Sequence, residues 1–218
     1  RRWFLRKSQV YRRRAVIRAP EPLFEQFSID SSPVSHELLR AIPAASIINL
    51  HWVAAFVDYT AFFAGLKERK IVWTLHDMNP FTGGCHFDNN CGRYTVRCGK
   101  CPQLGSDDDN DLSSRVLARK KAALRSIGAT NLVLVSPSRW LKAESERSSL
   151  FSGKSCLHIP YGVDTEKFSP IEKATARESL GLPKDAFIVL FVAAFLNSPR
   201  KGASHLLEAF KLLPKIDG

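Results

Sequence analysis

Four short apolar runs, separated by stretches with helical spacing, restrict this chain to a small set of folds. Ser46-Ile47-Ile48-Asn49-Leu50, Ile71-Val72-Trp73-Thr74-Leu75, Leu132-Val133-Leu134-Val135 and Phe187-Ile188-Val189-Leu190-Phe191-Val192 are rich in β-branched and aromatic residues and lack strict alternation. That is the pattern of parallel strands buried on both faces. Helices are expected between and after them, at about 54–67, 112–127, 138–149 and 203–213. The second turns Val116, Leu117, Ala123, Leu124 and Ile127 toward a core and Arg115, Arg119, Lys120, Lys121 and Arg125 toward solvent. Strand, helix, strand is the grammar of a doubly wound α/β domain.

Length and charge narrow this further. The 218 residues suffice for one large domain or a domain and a half, and 44% hydrophobic with 24% charged residues is ordinary globular composition. No apolar run approaches the ~20 residues of a membrane-spanning helix. The sequence starts at Arg1-Arg2 without Met or an apolar signal core, and is read as a fragment expected in the cytoplasm. Its net charge is +11, but residues 1–18 hold eight bases and no acid, leaving +3 for the other 200 residues. Trp3, Phe4, Leu5, Val10 and Tyr11 are interleaved with those bases. Such a segment suits contact with anionic membrane at its inner face, with RNA or with an acidic partner, or it is a solvated basic face.

The segment Asp77–Asp111 breaks the rhythm. It has no periodic pattern but holds four of the five cysteines, five glycines (Gly83, Gly84, Gly92, Gly99 and Gly105) and Pro80 and Pro102. A loop this long inside a compact domain is functional or cross-linked. Cys85, Cys91, Cys98 and Cys101 give C-x5-C-x6-C-x2-C, closing on a knuckle in which Gly99 permits the tight turn. The spacing suits tetrahedral thiolate coordination of a structural zinc. Two disulfides or four free thiols are the alternatives, and His86 can replace one sulfur. Cys156 lies in an apolar run and reads as core.

Six motifs in order carry a resemblance. Ile48-Asn49-Leu50-His51-Trp52, Val72-Trp73-Thr74-Leu75-His76-Asp77-Met78-Asn79-Pro80-Phe81-Thr82-Gly83-Gly84-Cys85 and Cys98-Gly99-Lys100-Cys101-Pro102-Gln103-Leu104 are followed by Ser136-Pro137-Ser138-Arg139-Trp140-Leu141, Ile159-Pro160-Tyr161-Gly162-Val163-Asp164 and Arg200-Lys201-Gly202. Over roughly residues 46–213 the chain resembles a cysteine-containing branch of the family-4 glycosyltransferases. The resemblance implies two Rossmann-like domains facing each other across a cleft (GT-B). It also implies sugar transfer from a nucleotide-diphosphate donor, with retention, to a glycan or lipid-linked acceptor, as in bacterial surface polysaccharide synthesis. Residues 1–161 would be most of the acceptor-side domain, and 162–218 a linker, near 162–185, and the start of the donor domain.

The same resemblance assigns roles. Arg200, Lys201 and Gly202 would clamp the diphosphate, at a strand's carboxyl end before a helix N-terminus, where anions are favoured. His76 would contact the donor sugar as a catalytic-cleft residue, with Asp77 orienting a loop or receiving a hydroxyl, and His51 would line the acceptor side. In members of the family the Arg and Lys are often spaced apart, whereas here they are adjacent. No catalytic metal is expected: Asp107-Asp108-Asp109 lies in a polar loop before a helix that Asp111 can cap. Gly65 is the first glycine, so the family's N-terminal glycine-rich loop is absent, and its late carboxylate motif would lie beyond Gly218. The fragment alone is therefore expected to be inactive. Rival readings are a zinc-knuckle nucleic-acid-binding protein using Arg93, Tyr94, Arg97 and Lys100, and a non-catalytic scaffold.

Overall fold

A computed structural model describes residues 16–18, 26–33, 35–196 and 198–213. The chain divides into two compact units, the first running to Tyr161 and the second starting at Gly162.

The first unit is built on a parallel sheet. Strands β1 (Val16–Arg18) and β2 (Gln26–Ser28) form an antiparallel pair, and a short helix α1 (Ser35–Ala41) follows. Then come β3 (Ile47–Leu50), α2 (Tyr59–Gly65), β4 (Lys70–Thr74), α3 (Leu112–Leu124), β5 (Leu132–Ser136), α4 (Arg139–Arg147) and β6 (Cys156–His158). Strands β3, β4, β5 and β6 lie side by side in that order, all parallel. The fold is thus α/β and Rossmann-like, with each crossover carrying a helix. Three of the four expected strands and all four expected helices are present. β1, β2, α1 and β6 were not anticipated.

Local chemistry sets the element ends. Asp58, Asp111 and Ser138 each accept a hydrogen bond from a first-turn amide, those of Ala61, Ser114 and Leu141, at 2.9, 3.0 and 3.1 Å. Ile71, Trp73, Leu132 and Leu134 are fully buried, while Val72 and Val133 between them are half-buried, so one sheet face is sealed more completely than the other. Trp73 is the hub of the core, with the rings of Phe63, Tyr59 and Phe151 at 5.5, 5.8 and 6.1 Å. Cys156 is buried, as expected.

One base of α3, Lys120, departs from the expected solvent face, while Arg119 stays exposed. Lys120 is fully buried: its ammonium donates to the carbonyls of Asn79 (2.5 Å) and Thr82 (3.1 Å) and lies 5.2 Å from the Tyr59 ring centroid. Burial lowers its pKa to about 8. Arg119 makes a two-pronged bond to buried Asp30, at 3.0 and 2.5 Å. Amphipathic spacing marks Lys120 for solvent, but the 77–111 segment covers it through Asn79 and Thr82.

The 77–111 segment holds only three 3-10 turns, Asn79–Phe81, Arg93–Thr95 and Pro102–Leu104. It is nonetheless part of the core: Phe81 is fully buried and Tyr94 nearly so, their rings 5.6 Å apart. β2 is bonded to it through Ser28 N to Gly84 O (2.8 Å) and the Asn79 amide to the carbonyls of Ser28 and Gly84 (3.1 and 2.7 Å).

The second unit has α5 (Lys173–Ser179), a 3-10 turn Pro199–Lys201 and α6 (Ala203–Leu212). α5 falls inside the expected linker. The expected strand at 187–192 does not form: the run is without regular structure, and Phe187 and Leu190 are 91% and 82% exposed. A parallel strand requires neighbours for its backbone bonds, and no described residue of this unit supplies one. Of the expected contact segment at residues 1–18, Val16–Arg18 form β1 and residues 1–15 lie outside the described residues. Among the described residues no helix is long and apolar enough to cross a membrane.

Candidate active site at the strand ends

Residues just beyond the carboxyl ends of β3, β4 and β6 form a hydrogen-bonded chain. His51 Nδ1 lies 2.9 Å from His76 Nε2, and His76 Nδ1 lies 2.6 Å from the Tyr161 hydroxyl. The Tyr161 ring stacks on His76 at 5.5 Å between centroids, 16° from parallel. Both nitrogens of His76 are therefore engaged. A neutral imidazole has one donor and one acceptor, so the chain runs in one of two directions. Either Tyr161 donates to His76 and His76 to His51, or each bond is reversed. Burial, followed by the nearness of His51, lowers the His76 pKa from its usual 6.5, which favours this neutral form. Burial, with the Asp77 charge behind it, raises that of Tyr161.

Asp77 belongs to a second, adjoining network. Its Oδ2 accepts from Trp52 Nε1 at 2.7 Å and faces His86 Nδ1 at 2.6 Å, while Oδ1 accepts from the Asn79 amide at 2.9 Å. Burial raises the Asp77 pKa, but the His86 and Asn79 bonds outweigh it and hold the carboxyl below its usual range. His86 is buried, with Nε2 2.9 Å from the Ser28 hydroxyl. So Asp77 is committed to Trp52, His86 and the turn at Asn79, which is the work of a positioning residue. His86, with both nitrogens engaged, is not an available zinc ligand.

Arg200 and Lys201 are in the second unit, in a 3-10 turn closed by Lys201 N to Ser198 O and Gly202 N to Pro199 O at 2.9 and 3.1 Å. Gly202, at φ +79°, leads into α6 in a backbone conformation that favours glycine. Cys85, Cys91, Cys98 and Cys101 are thiols, not disulfides. Burial pushes Cys98 up to about 11 and Cys85 higher still. Among the described residues no three His, Cys, Asp or Glu side chains stand in position to hold a metal ion. Asp111 caps α3, and its other oxygen accepts from Cys101 N at 2.8 Å.

Sequence reasoning missed Tyr161, Trp52, Ser28 and Lys120. Tyr161 and Trp52 stood inside quoted motifs; the only available signal was that each follows a strand end.

The chain is 27% identical over 180 residues to "Putative colanic acid biosynthesis glycosyl transferase WcaC" of Escherichia coli, which covers 76% of this chain and 44% of that protein. It is 29% identical over 167 residues to "D-inositol 3-phosphate glycosyltransferase 2" of Catenulispora acidiphila, covering 75% of this chain and 32% of that one. Over three quarters of its length the chain is thus similar to proteins named as glycosyltransferases. A 53-residue stretch is also 42% identical to "D-inositol 3-phosphate glycosyltransferase" of Geodermatophilus obscurus. The chain spans less than half the length of WcaC and about a third of the Catenulispora protein. No family profile and no solved structure matches it.

The zinc-knuckle nucleic-acid reading gains no support. Tyr94 is buried and bonds Glu144, Arg97 donates to the Asp109 carbonyl and Asn110, and Lys100 pairs with Asp109. An aromatic ring sealed in the core offers no stacking face to a base.

Proposed function

We propose that this protein takes part in retaining glycosyl transfer from a nucleoside-diphosphate sugar to a glycan or lipid-linked acceptor, in surface polysaccharide synthesis. The observation that carries this reading is the sequence relation to glycosyltransferases over three quarters of the chain. His76 is the catalytic-cleft residue at the donor sugar, His51 lines the acceptor side, Tyr161 completes their hydrogen-bonded chain, and Arg200, Lys201 and Gly202 take the donor diphosphate.

The chemistry suits those groups. Breaking the bond between the anomeric carbon and the phosphate builds positive charge on the sugar and negative charge on the leaving diphosphate, which cations and a helix N-terminus stabilise. The acceptor hydroxyl loses its proton as its oxygen joins the sugar. The His51–His76–Tyr161 chain can take up a proton at one end and release one at the other, reversing its bonds without gaining net charge. Asp77, held by His86, fixes the loop that follows His76. The basic segment 1–18 is the part suited to anionic lipid.

The test is release of nucleoside diphosphate by the product of the whole open reading frame, assayed against a panel of nucleotide-sugars with glycan and lipid-linked acceptors. Acceptor-dependent release from at least one donor is expected, falling about a hundredfold in Lys201→Ala or Arg200→Ala. No release from any donor, or wild-type rates in both variants, would contradict the reading.

A further inference from the structure

We propose that Cys85, Cys91, Cys98 and Cys101 bind one zinc ion as a tetrathiolate, and that this ion cross-links the 77–111 segment. The fold brings four of the chain's five cysteines to the wall of one cavity of about 20 Å³, beside Gly83 and Ser113. Fifteen residues lie between the first of these cysteines and the last, and they form no strand or helix other than a single 3-10 turn. The fifth, Cys156, is in β6, with its sulfur facing Ser145. Four soft donors around one small space, none of them in a disulfide, is the composition of a structural zinc site.

The turn that carries the second pair is fixed from outside the cysteine run. Gly99 has φ +138°, and a Cβ there would sit 2.3 Å from the Asp109 carbonyl oxygen. Lys100 follows at φ +45°, a left-handed conformation in a residue with a side chain. Lys100 N donates to Asp108 O and Cys101 N to the Asp111 carboxylate, both at 2.8 Å. Both elements therefore hold the Cys98–Cys101 knuckle closed: the acidic stretch 107–111 grips its backbone, and the α3 N-cap residue is part of that grip.

Charge also suits the ion. Zinc with four thiolates carries a net charge of −2, and the buried Lys120 ammonium lies within electrostatic reach of Cys85 and Cys98, with Arg93 on the cavity wall. Binding forms four Zn–S bonds and releases the four S–H protons to solvent. The sulfurs line the cavity without being drawn together, so the side chains must turn inward to reach the ~2.3 Å bond length. The ion would then brace the same segment that carries Asp77 and His86. This inference concerns the segment alone and stands whether or not sugar transfer is observed.

Elemental analysis of untagged protein purified without chelator tests it. About one zinc per chain is expected, four thiols that react with an alkylating agent only after chelation, and new protease cleavage between 85 and 101 once zinc is removed. Cys156→Ser keeps the metal, and Cys98→Ser/Cys101→Ser loses it. If the double variant fails to fold, stripping the wild-type protein and restoring protection with zinc alone decides the question. Metal-free protein with four reactive thiols, or a mass lowered by the four hydrogens of two disulfides, would overturn the proposal.

Discussion

In β4, Ile71 and Trp73 are 1% and 0% exposed, whereas the equally apolar run in the second unit leaves Phe187 and Leu190 at 91% and 82%. β4 bonds to β3 on one side and β5 on the other, and α2 and α3 pack on each other in the same unit. The 187–192 run has no partner among the described residues. A parallel strand is thus a property of the sheet around it and not of its own six residues. The contrast extends to the candidate site: His76 follows a strand bonded on both sides and meets His51 and Tyr161, whereas Arg200 and Lys201 stand in a 3-10 turn after the 187–192 run.

Substitutions at five positions sharpen or break this contrast. The largest effect is expected from Trp73→Ala, which empties the centre of the aromatic cluster and should cost about 3–5 kcal/mol in chemical denaturation. Phe187→Ala should stay within about 0.5 kcal/mol in the same chain. Similar losses for the two would show that the second run is packed after all.

Lys120→Met comes next, since it leaves the Asn79 and Thr82 carbonyls without their donor; a loss of about 2 kcal/mol is expected. The pH dependence has a defined sign. Folded Lys120 has its pKa lowered to about 8 from 10.5, so between those values the folded chain binds fewer protons than the unfolded one. The stability of wild type relative to Lys120→Met should therefore rise with pH from about 8 to 10.5 and be lost as pH falls through 8. A difference independent of pH would contradict the buried ammonium.

Asp77→Asn should cost about 1–2 kcal/mol near neutrality. The folded carboxyl is held below its usual 3.8, so its contribution is present above that value and lost as pH falls through the lower, folded pKa. Equal acid-unfolding curves for wild type and variant would count against the Trp52–Asp77–His86 network. The smallest effect on stability is expected at His76, which is exposed and outside the core.

Much of the first unit was legible in the sequence. β3, β4 and β5 announced themselves as β-branched runs, and Asp111 as a cap before an amphipathic helix. Lys120 was not legible, because a base at that spacing reads as solvent-facing unless the segment that covers it is known. Nor was the 187–192 run, whose composition says strand while no neighbouring strand stands beside it among the described residues. At the site, His51, His76 and Asp77 could be found as strand-end residues. Tyr161 could not be tied to His76, since a sequence separation of 85 carries no local signal of that contact.

The central claim is that His76 works at the reacting sugars and not in the fold. Its most direct test is the turnover of His76→Ala beside the wild-type product of the whole open reading frame, with thermal unfolding measured on both. The account predicts about a hundredfold lower kcat at an unchanged Tm, with the wild-type acid limb below pH 6.5 because His76 stays neutral down to there. Wild-type turnover in His76→Ala, or a loss of turnover matched by a fall in Tm, would contradict it.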